Sequence, residues 1–160
     1  MNLDKAGRQT LKYLFSEYKK GPSVLYPING ISRKYGVDPV ALSEYLLENF
    51  WIRECWIYSG NTVAARITIK GIEKIDPIYV RNKFDEIIEG LASAGRSKTL
   101  LEILELKIEE FTISSDLVNE LESLGLVKIQ NPNHSIVVEL TEEGYKYYEK
   151  KSGSLLTLMA

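Results

Sequence analysis

One short pattern occurs twice in this chain and constrains its fold more than any other feature. An apolar residue, a Thr, two variable residues and a Gly are followed by an apolar-rich run, first in residues 67–75 (ITIKGIEKI) and again in residues 140–148 (LTEEGYKYY). The Thr68 hydroxyl can cap a new helix by accepting a hydrogen bond from a free amide of its first turn, and Gly71 lets that helix approach a neighbouring element closely. The matching positions of the second copy are Thr141 and Gly144. The pattern predicts two joints at which a strand ends and a helix begins.

A helix and a β-hairpin are expected before each joint. Asp38-Pro39 supplies an N-cap and a proline at the first helical position, which predicts a helix over residues 39–50. Two β-rich runs around Ser59-Gly60-Asn61 then predict a hairpin over residues 51–69. In the second half, Ser114-Ser115 can cap a helix from Asp116 to Leu124, and a hairpin should follow over residues 126–140. The economical explanation is a module repeated in tandem.

The remaining helices follow the spacing of apolar residues. The sequence predicts helices over residues 5–19 and 28–35 in the first half, and one helix from Lys98 to Ile108 in the second. On this interpretation the short second helix of the later module is missing or compressed into residues 109–113. The expected core comprises Leu11, Leu14, Leu42, Leu46, Ile52, Ile67, Ile72, Leu117, Leu121, Val127 and Leu140.

These elements suggest four segments. They are an N-terminal module (1–77), a linker helix (78–96), a C-terminal module (97–151) and a tail (152–160). Within the linker, residues 80–93 place Phe84, Ile88 and Leu91 on one apolar stripe. That stripe can pack the two modules together or pair with a second copy of the protein, and we favour an intramolecular linker.

Composition argues against several classes of function. One cysteine, Cys55, and one histidine, His134, are too few for a Cys/His zinc cluster or an internal disulfide. We find no phosphate-binding glycine loop and no nucleophile motif, so we expect no catalytic residue, no metal, no cofactor and no enzyme activity. No apolar run approaches the length of a membrane span, and we expect a cytoplasmic protein that does not bind membranes. Abundant Lys (14), Glu (17) and Ile (16) with only 2 Gln resemble hyperthermophilic, archaeal-like composition.

The segments 30–49 (GISRKYGVDPVALSEYLLEN), 67–75 and 113–148 together resemble the winged-helix family. The resemblance implies an α+β fold of tandem winged-helix modules, each a three-helix core with a β-hairpin wing, joined by an amphipathic helix. It also implies a recognition helix over residues 38–50 with a wing tip at residues 59–61, matched in the second module by residues 116–124 and 131–135. Family members commonly bind DNA as transcriptional regulators, so the resemblance suggests that function.

Charge divides the two modules. Residues 1–34 hold seven basic and two acidic residues, a net of +5, whereas residues 99–143 hold two basic and ten acidic residues, a net of −8. Because DNA affinity depends on neutralising phosphates, we expect only the first module to bind duplex DNA. The acidic module should mediate self-association or contact a protein partner, with Glu120 and Glu122 on its exposed helix.

The resemblance and the charges together nominate a set of DNA contacts. It consists of Arg33, Lys34, Ser43, Tyr45, Asn49, Asn61 and Arg66. A regulator of this kind is expected to bind two half-sites as a dimer. Glu44 and Glu48 oppose this hypothesis, because carboxylates in a groove lie close to phosphates.

A second hypothesis fits the same residues. Tandem winged-helix modules are also similar to adaptors that bind no DNA and present their surfaces to other proteins of a complex. Exposed aromatic residues would favour it, although aromatic residues more often fill small cores. The candidates are Trp51, Trp56, Tyr58, Tyr145, Tyr147 and Tyr148.

Overall fold

The computed structural model describes residues 3–58, 61–93, 95, 97–106 and 110–159, with side chains as far as Lys151 and excepting that of His134. Within these residues, helices and antiparallel sheets combine in an α+β fold. The chain divides into two compact units, residues 1–80 and residues 81–160. No helix in the described part of the chain is long and apolar enough to cross a membrane.

The first unit packs helices against a three-stranded sheet. Its elements are α1 (Leu3–Lys20), β1 (Tyr26–Pro27), α2 (Asn29–Lys34), α3 (Pro39–Glu48), β2 (Ile52–Tyr58), β3 (Thr62–Ile67) and α4 (Ile69–Ile75). The antiparallel sheet has the order β1-β3-β2, so that Ala65 of the central strand pairs with Tyr26 on one side and Cys55 on the other. α1 packs on α3, α4 and β3. The side chain of Asp38 caps α3 by accepting a 3.0 Å hydrogen bond from the amide of Ala41.

The second unit repeats this order of elements. They are α5 (Pro77–Ser93), which enters this unit at Arg81, β4 (Ser97–Thr99), α6 (Leu100–Leu104), α7 (Phe111–Ser123), β5 (Val127–Gln130), β6 (Val137–Leu140) and α8 (Glu142–Met159). A 3-10 turn (Pro132–His134) lies between β5 and β6. The sheet order β4-β6-β5 matches β1-β3-β2. Helix for helix and strand for strand, the described parts of the two units therefore follow one plan.

At the first strand-to-helix joint, the Thr68 hydroxyl both accepts and donates a hydrogen bond. Its oxygen accepts a hydrogen bond of 3.0 Å from the amide of Gly71, and it donates one of 2.6 Å to the carbonyl of Phe50. A Cβ at Gly71 would overlap the carbonyl oxygen of Trp51, so α4 can lie this close to the start of β2 only with glycine there. Thr68 thus joins the end of β3 to the turn that precedes β2.

The second joint has the same hydrogen bonds. The Thr141 hydroxyl accepts from the amide of Gly144 at 3.0 Å and donates to the carbonyl of Gly125 at 2.7 Å. A Cβ at Gly144 would overlap the carbonyl oxygen of Leu126. The roles predicted for both Thr-x-x-Gly patterns are confirmed, and the neighbour that glycine admits is the backbone before the first hairpin strand.

Three further sequence predictions are confirmed. The hairpins expected at residues 51–69 and 126–140 are formed by β2 with β3 and by β5 with β6. Every residue of the expected core is buried: Leu11, Leu14, Leu42, Leu46, Ile52, Ile67, Ile72, Leu117, Leu121, Val127 and Leu140. The expected helix over residues 80–93 is found as α5.

The predicted helix from Lys98 to Ile108 is wrong at its start. Lys98 pairs with Val138 in the sheet, and Thr99 ends that strand and caps α6. The short second helix is consequently neither missing nor compressed into residues 109–113, because α6 occupies its place. Residues 107–109 lie outside the described residues.

Two helix ends also differ from expectation. Ser114 and Ser115 do not cap α7, which begins three residues earlier at Phe111 with Glu110 as its N-cap. The Glu110 carboxylate accepts the amide of Thr112, so an acidic side chain performs the role assigned to serine. At the C-terminus, the expected tail (152–160) continues the backbone of α8 as far as Met159.

Candidate interaction surface

The outward side of α3 carries carboxylates around an apolar residue. Glu44, Leu47 and Glu48 are exposed at the three- and four-residue spacing that places side chains on one helical face, while Leu42 and Leu46 face the core. The helix contains no Lys or Arg. Its outer face can attract cations and cover apolar atoms, and it cannot neutralise phosphates.

Phe50 is exposed two residues beyond the end of α3. Its backbone has a φ of 60°, a left-handed conformation that costs a bulky residue energy. The side chain is 68% exposed, and the Nζ atom of Lys70 lies 5.4 Å from the ring centroid. At the matching position of the second unit, Gly125 has a φ of 78°. Neither the backbone conformation nor burial therefore explains a phenylalanine here.

The β2–β3 hairpin carries a second group of exposed apolar side chains. Trp56, Ile57 and Tyr58 are 57%, 58% and 50% exposed. Trp56 pairs with Ala64 and Tyr58 with Thr62, which places both aromatic residues on one face of the sheet and Ile57 on the other. Of the six aromatic candidates, Trp56 and Tyr58 are among those at the surface, whereas Trp51 is half-buried and its ring packs edge-on against Tyr45.

Of the three DNA contacts predicted on the helix over residues 38–50, Asn49 lies at the surface. Ser43 is buried, and its hydroxyl donates a 2.7 Å hydrogen bond to the carbonyl of Val40. The hydroxyl of Tyr45 donates a hydrogen bond to the carboxylate of Asp4 on α1. This hydrogen bond, with smaller effects of burial and of the Asp4 charge, raises the pKa of Tyr45 above its usual 10.0. Asn49 is exposed, and its amide donates to the carbonyl of Tyr45 at 2.8 Å.

Arg66 is used inside the first unit. Its Nη2 atom lies 2.9 Å from the carboxylate of Glu54 on the neighbouring strand, and Nη1 donates to the carbonyl of Pro22 at 3.2 Å. Only 12% of the side chain is exposed. The guanidinium of Arg66 therefore links β3, β2 and the segment before β1.

Arg33 and Lys34 are exposed at the end of α2, and the Nζ atom of Lys34 lies 5.9 Å from the ring centroid of Tyr35. Asn61 is exposed in the hairpin turn, where its carbonyl accepts a 2.8 Å hydrogen bond from the side-chain amide of Asn29. The same Asn29 side chain accepts from the amide of Val63 at 2.8 Å. Asn29 thus ties the hairpin to the start of α2, a role that sequence reasoning missed.

In the second unit, the predicted interaction residues divide into surface and core. Ile88 and Leu91 are fully buried and Phe84 is half-buried, so this stripe offers little apolar surface to a partner. Glu120 is half-buried, whereas Glu122 is exposed and accepts the amide of Ile129 at 2.7 Å. α7 contains no Lys or Arg. Its outer face is therefore acidic, like that of α3.

No cluster of His, Cys, Asp and Glu able to hold a metal ion occurs among the described residues. Two open clefts of about 310 and 280 Å³ lie along α1 in the first unit, the second lined by Asp4, Arg8, Leu11, Tyr45, Trp51 and Lys74. The first cleft is lined by Lys12, Phe15, Ser16, Lys19, Ile75 and Asp76, and in the second the Tyr45 hydroxyl donates to the carboxylate of Asp4. We take the exposed side chains of α3 and the hairpin as the candidate functional site, because they combine apolar atoms with charge at the surface.

Comparisons with known proteins provide no family. No family model matches the chain, and a search of curated proteins finds no match to its sequence.

Proposed function

We propose that the protein is a tandem winged-helix adaptor whose first unit binds another protein through the outer face of α3 and Phe50. The repeated order of helix, strand, two helices, hairpin and helix supports the winged-helix assignment. So do the matching sheet orders and the two Thr-x-x-Gly joints. In this assignment α3 and α7 are the third helices of the two modules, and the hairpins are their wings.

The chemistry of α3 carries the choice of a protein ligand. A third helix that entered a DNA groove would bring the carboxylates of Glu44 and Glu48 close to phosphates, with no cation of its own to offset them. Ser43, Tyr45 and Arg66 already bond within the unit. The exposed apolar atoms beside those carboxylates are instead suited to an interface with another protein, from which water is excluded.

The expected partner is an apolar segment flanked by Lys or Arg. Leu47 and Phe50 can supply the apolar anchors, because large side chains at the centre of an interface carry most of its binding energy. Glu44 and Glu48 can attract basic residues at the rim and raise the association rate. Binding should accordingly weaken as salt screens the rim charges.

A matched pair of variants tests this adaptor function. Leu47→Lys adds a charge to the proposed surface, and Val24→Lys adds the same charge to an exposed apolar residue elsewhere in the first unit. Tagged wild-type chain and both variants would be used to recover bound protein from cells of the source organism, with quantitative mass spectrometry. We expect a protein that is retained by wild type and Val24→Lys and reduced at least about tenfold by Leu47→Lys. Equal recovery by all three chains would contradict the assigned surface.

DNA binding by a dimeric transcriptional regulator is the second candidate, and the exposed cations at the end of α2 favour it. Residues 1–80 carry 11 Lys and Arg against 8 Asp and Glu, and residues 81–160 carry 9 against 14, so the net charges are +3 and −5. The first unit therefore has a weak attraction for duplex DNA, centred in this hypothesis on Arg33 and Lys34.

A mobility-shift assay across a salt series separates the two candidates. For an adaptor we expect a shallow dependence of log affinity on log salt, corresponding to fewer than about two phosphate contacts. The regulator would be favoured, and the adaptor contradicted, by a steep salt dependence that corresponds to several phosphate contacts. In the chain that carries both Arg33→Ala and Lys34→Ala, that number of contacts should then fall by about two. Glu44→Gln is the matched control, because removing a carboxylate from α3 should strengthen any DNA complex formed there.

A further inference from the structure

The strand β2 has an open edge. It is the outer strand of the order β1-β3-β2, and no described residue of the first unit pairs with its outer side. Such an edge presents unpaired backbone N–H and C=O groups, to which another strand can add. The last four residues of β2, Cys55 to Tyr58, form a regular ladder with β3.

Those four residues lack the features that usually protect an edge. The register shift lies before Cys55, and the charged residues Arg53 and Glu54 lie beside that shift. From Cys55 to Tyr58 there is no charge, no proline and no irregularity. By contrast, the matching edge strand β5 has four residues, carries the exposed Lys128 and is followed closely by Pro132. Of the two matching edges, only β2 has a four-residue regular run without a charge.

We propose that two copies of this protein associate by antiparallel pairing of their β2 edges around Ile57. A two-fold axis perpendicular to the sheet keeps each residue on the same face in both copies. With the axis at Ile57, Trp56 of each copy lies opposite Tyr58 of the other, and Ile57 lies opposite itself. Aromatic pairs directly across two strands are favourable, and no like charges are opposed between residues 55 and 58.

A second copy fits this edge better than an unrelated charged strand does. The exposed segment offers large apolar side chains on both faces and no charge for a basic or acidic partner to match. An identical segment supplies the same apolar side chains in return. The β2 edge and α3 therefore favour different partners, because the side chains around the apolar residues of α3 are acidic.

The size of the contact predicts a weak dimer. The three side chains are 50–58% exposed, and large side chains of this kind bury about 150–250 Å² when fully covered. Six such side chains would therefore bury about 600 Å², which is below the roughly 1,200 Å² of a stable interface. We expect a dissociation constant of about 10 µM or weaker. Because the contact is apolar, added salt should not dissociate it.

Sedimentation velocity on the full chain at concentrations up to about 1 mM tests the proposal. We expect a concentration-dependent dimer that Ile57→Lys weakens at least about tenfold, because two ammonium groups would face each other. Ile78→Lys, at an exposed residue outside the hairpin, should leave the dimer unchanged. A wild-type chain that stays monomeric throughout would overturn the proposal and leave the edge for a strand of another protein. A dimer that Ile57→Lys leaves as stable as that of wild type would overturn it as well.

A mixture of two variants tests the register. Alone, Ile57→Lys and Ile57→Glu should each associate at least about tenfold more weakly than wild type, and a mixture of the two should associate more strongly than either, because the axis places opposite charges across from one another. Failure of the mixture to associate would overturn the pairing around Ile57. Circular dichroism of each variant, and the association of the mixture itself, separate loss of pairing from loss of fold.

Discussion

At the scale of single residues, Gly71 and Gly144 occupy positions where no side chain fits. A Cβ at either would overlap a backbone carbonyl of the turn before the hairpin. We expect Gly71→Ala and Gly144→Ala each to lower the free energy of unfolding of their own unit by about 3 kcal/mol. Gly30→Ala is the control, since a Cβ there has no neighbour within 4 Å, and it should raise stability by about 0.5 kcal/mol. Urea titration followed by circular dichroism measures all three, and equal effects would contradict the assigned contact.

Phe50 should be dispensable for stability. Relief of its left-handed backbone in Phe50→Gly contributes about 1–2 kcal/mol, which is offset by about 1 kcal/mol of glycine entropy and about 0.5 kcal/mol from the lost contact with Lys70. We therefore expect the free energy of unfolding to stay within about 0.5 kcal/mol of wild type, while recovery of the protein partner falls. A loss above about 2 kcal/mol would mean that the ring stabilises the fold.

The sequence could not reveal how the predicted DNA contacts are used. The positions of Tyr45 and Arg66 on the predicted helix and hairpin suggest DNA contacts, but their partners Asp4 and Pro22 are 41 and 44 residues away in the chain. Such partners follow from packing between elements, which local spacing does not encode. Phe50 could have been found by aligning the two copies of the repeat, because its counterpart is Gly125.

At the scale of elements, the start of α6 links helix formation to pH. The amide and hydroxyl of Thr99 donate to the Glu102 carboxylate at 3.2 and 2.9 Å, and the amide of Glu102 donates back to the Thr99 hydroxyl. The backbone hydrogen bond, followed by the side-chain one, lowers the pKa of Glu102 below its usual 4.5. A lowered pKa means that the carboxylate stabilises the fold above pH 4.5, and that this stabilisation is lost as the pH falls through the folded-state value.

We therefore expect the stability difference between wild type and Glu102→Gln to shrink as the pH is lowered from about 6 to about 3. Urea titrations at several pH values measure this difference. Glu105→Gln, a matched substitution outside the capping box, is measured alongside it. A difference that grows on acidification would contradict the role of the carboxylate.

The same region marks the limit of predicting elements from local pattern. Leucines and isoleucines between Leu100 and Leu106 have helical spacing, and that spacing extended the predicted helix back to Lys98. In the fold, Lys98 pairs instead with Val138, 40 residues later. Hairpins and joints were predictable because their partners are close in sequence. The short strands β1 and β4 were harder to predict because their pairing is distant.

At the scale of the whole molecule, the two units should unfold as separable bodies. Both tryptophans, Trp51 and Trp56, belong to the first unit, so their fluorescence reports on that unit, whereas circular dichroism reports on both. We expect Gly71→Ala to shift the fluorescence transition to lower urea. Gly144→Ala should leave the fluorescence transition in place and shift part of the dichroism signal. Coincident shifts in both variants would mean that the units unfold as one.

In each sheet, one edge strand lies far upstream of the hairpin in the sequence. Tyr26 pairs with Ala65, 39 residues later, and Thr99 pairs with Val137, 38 residues later. Hairpins form within about 1–10 µs, so the upstream strand should dock last in each unit. The entropy of closing these loops depends on the logarithm of their length and is therefore nearly equal in the two units. The shared sheet order therefore predicts one slow folding step in each unit, with a similar free-energy barrier. We expect the refolding rates of the two units to lie within about tenfold of each other despite their different amino-acid sequences.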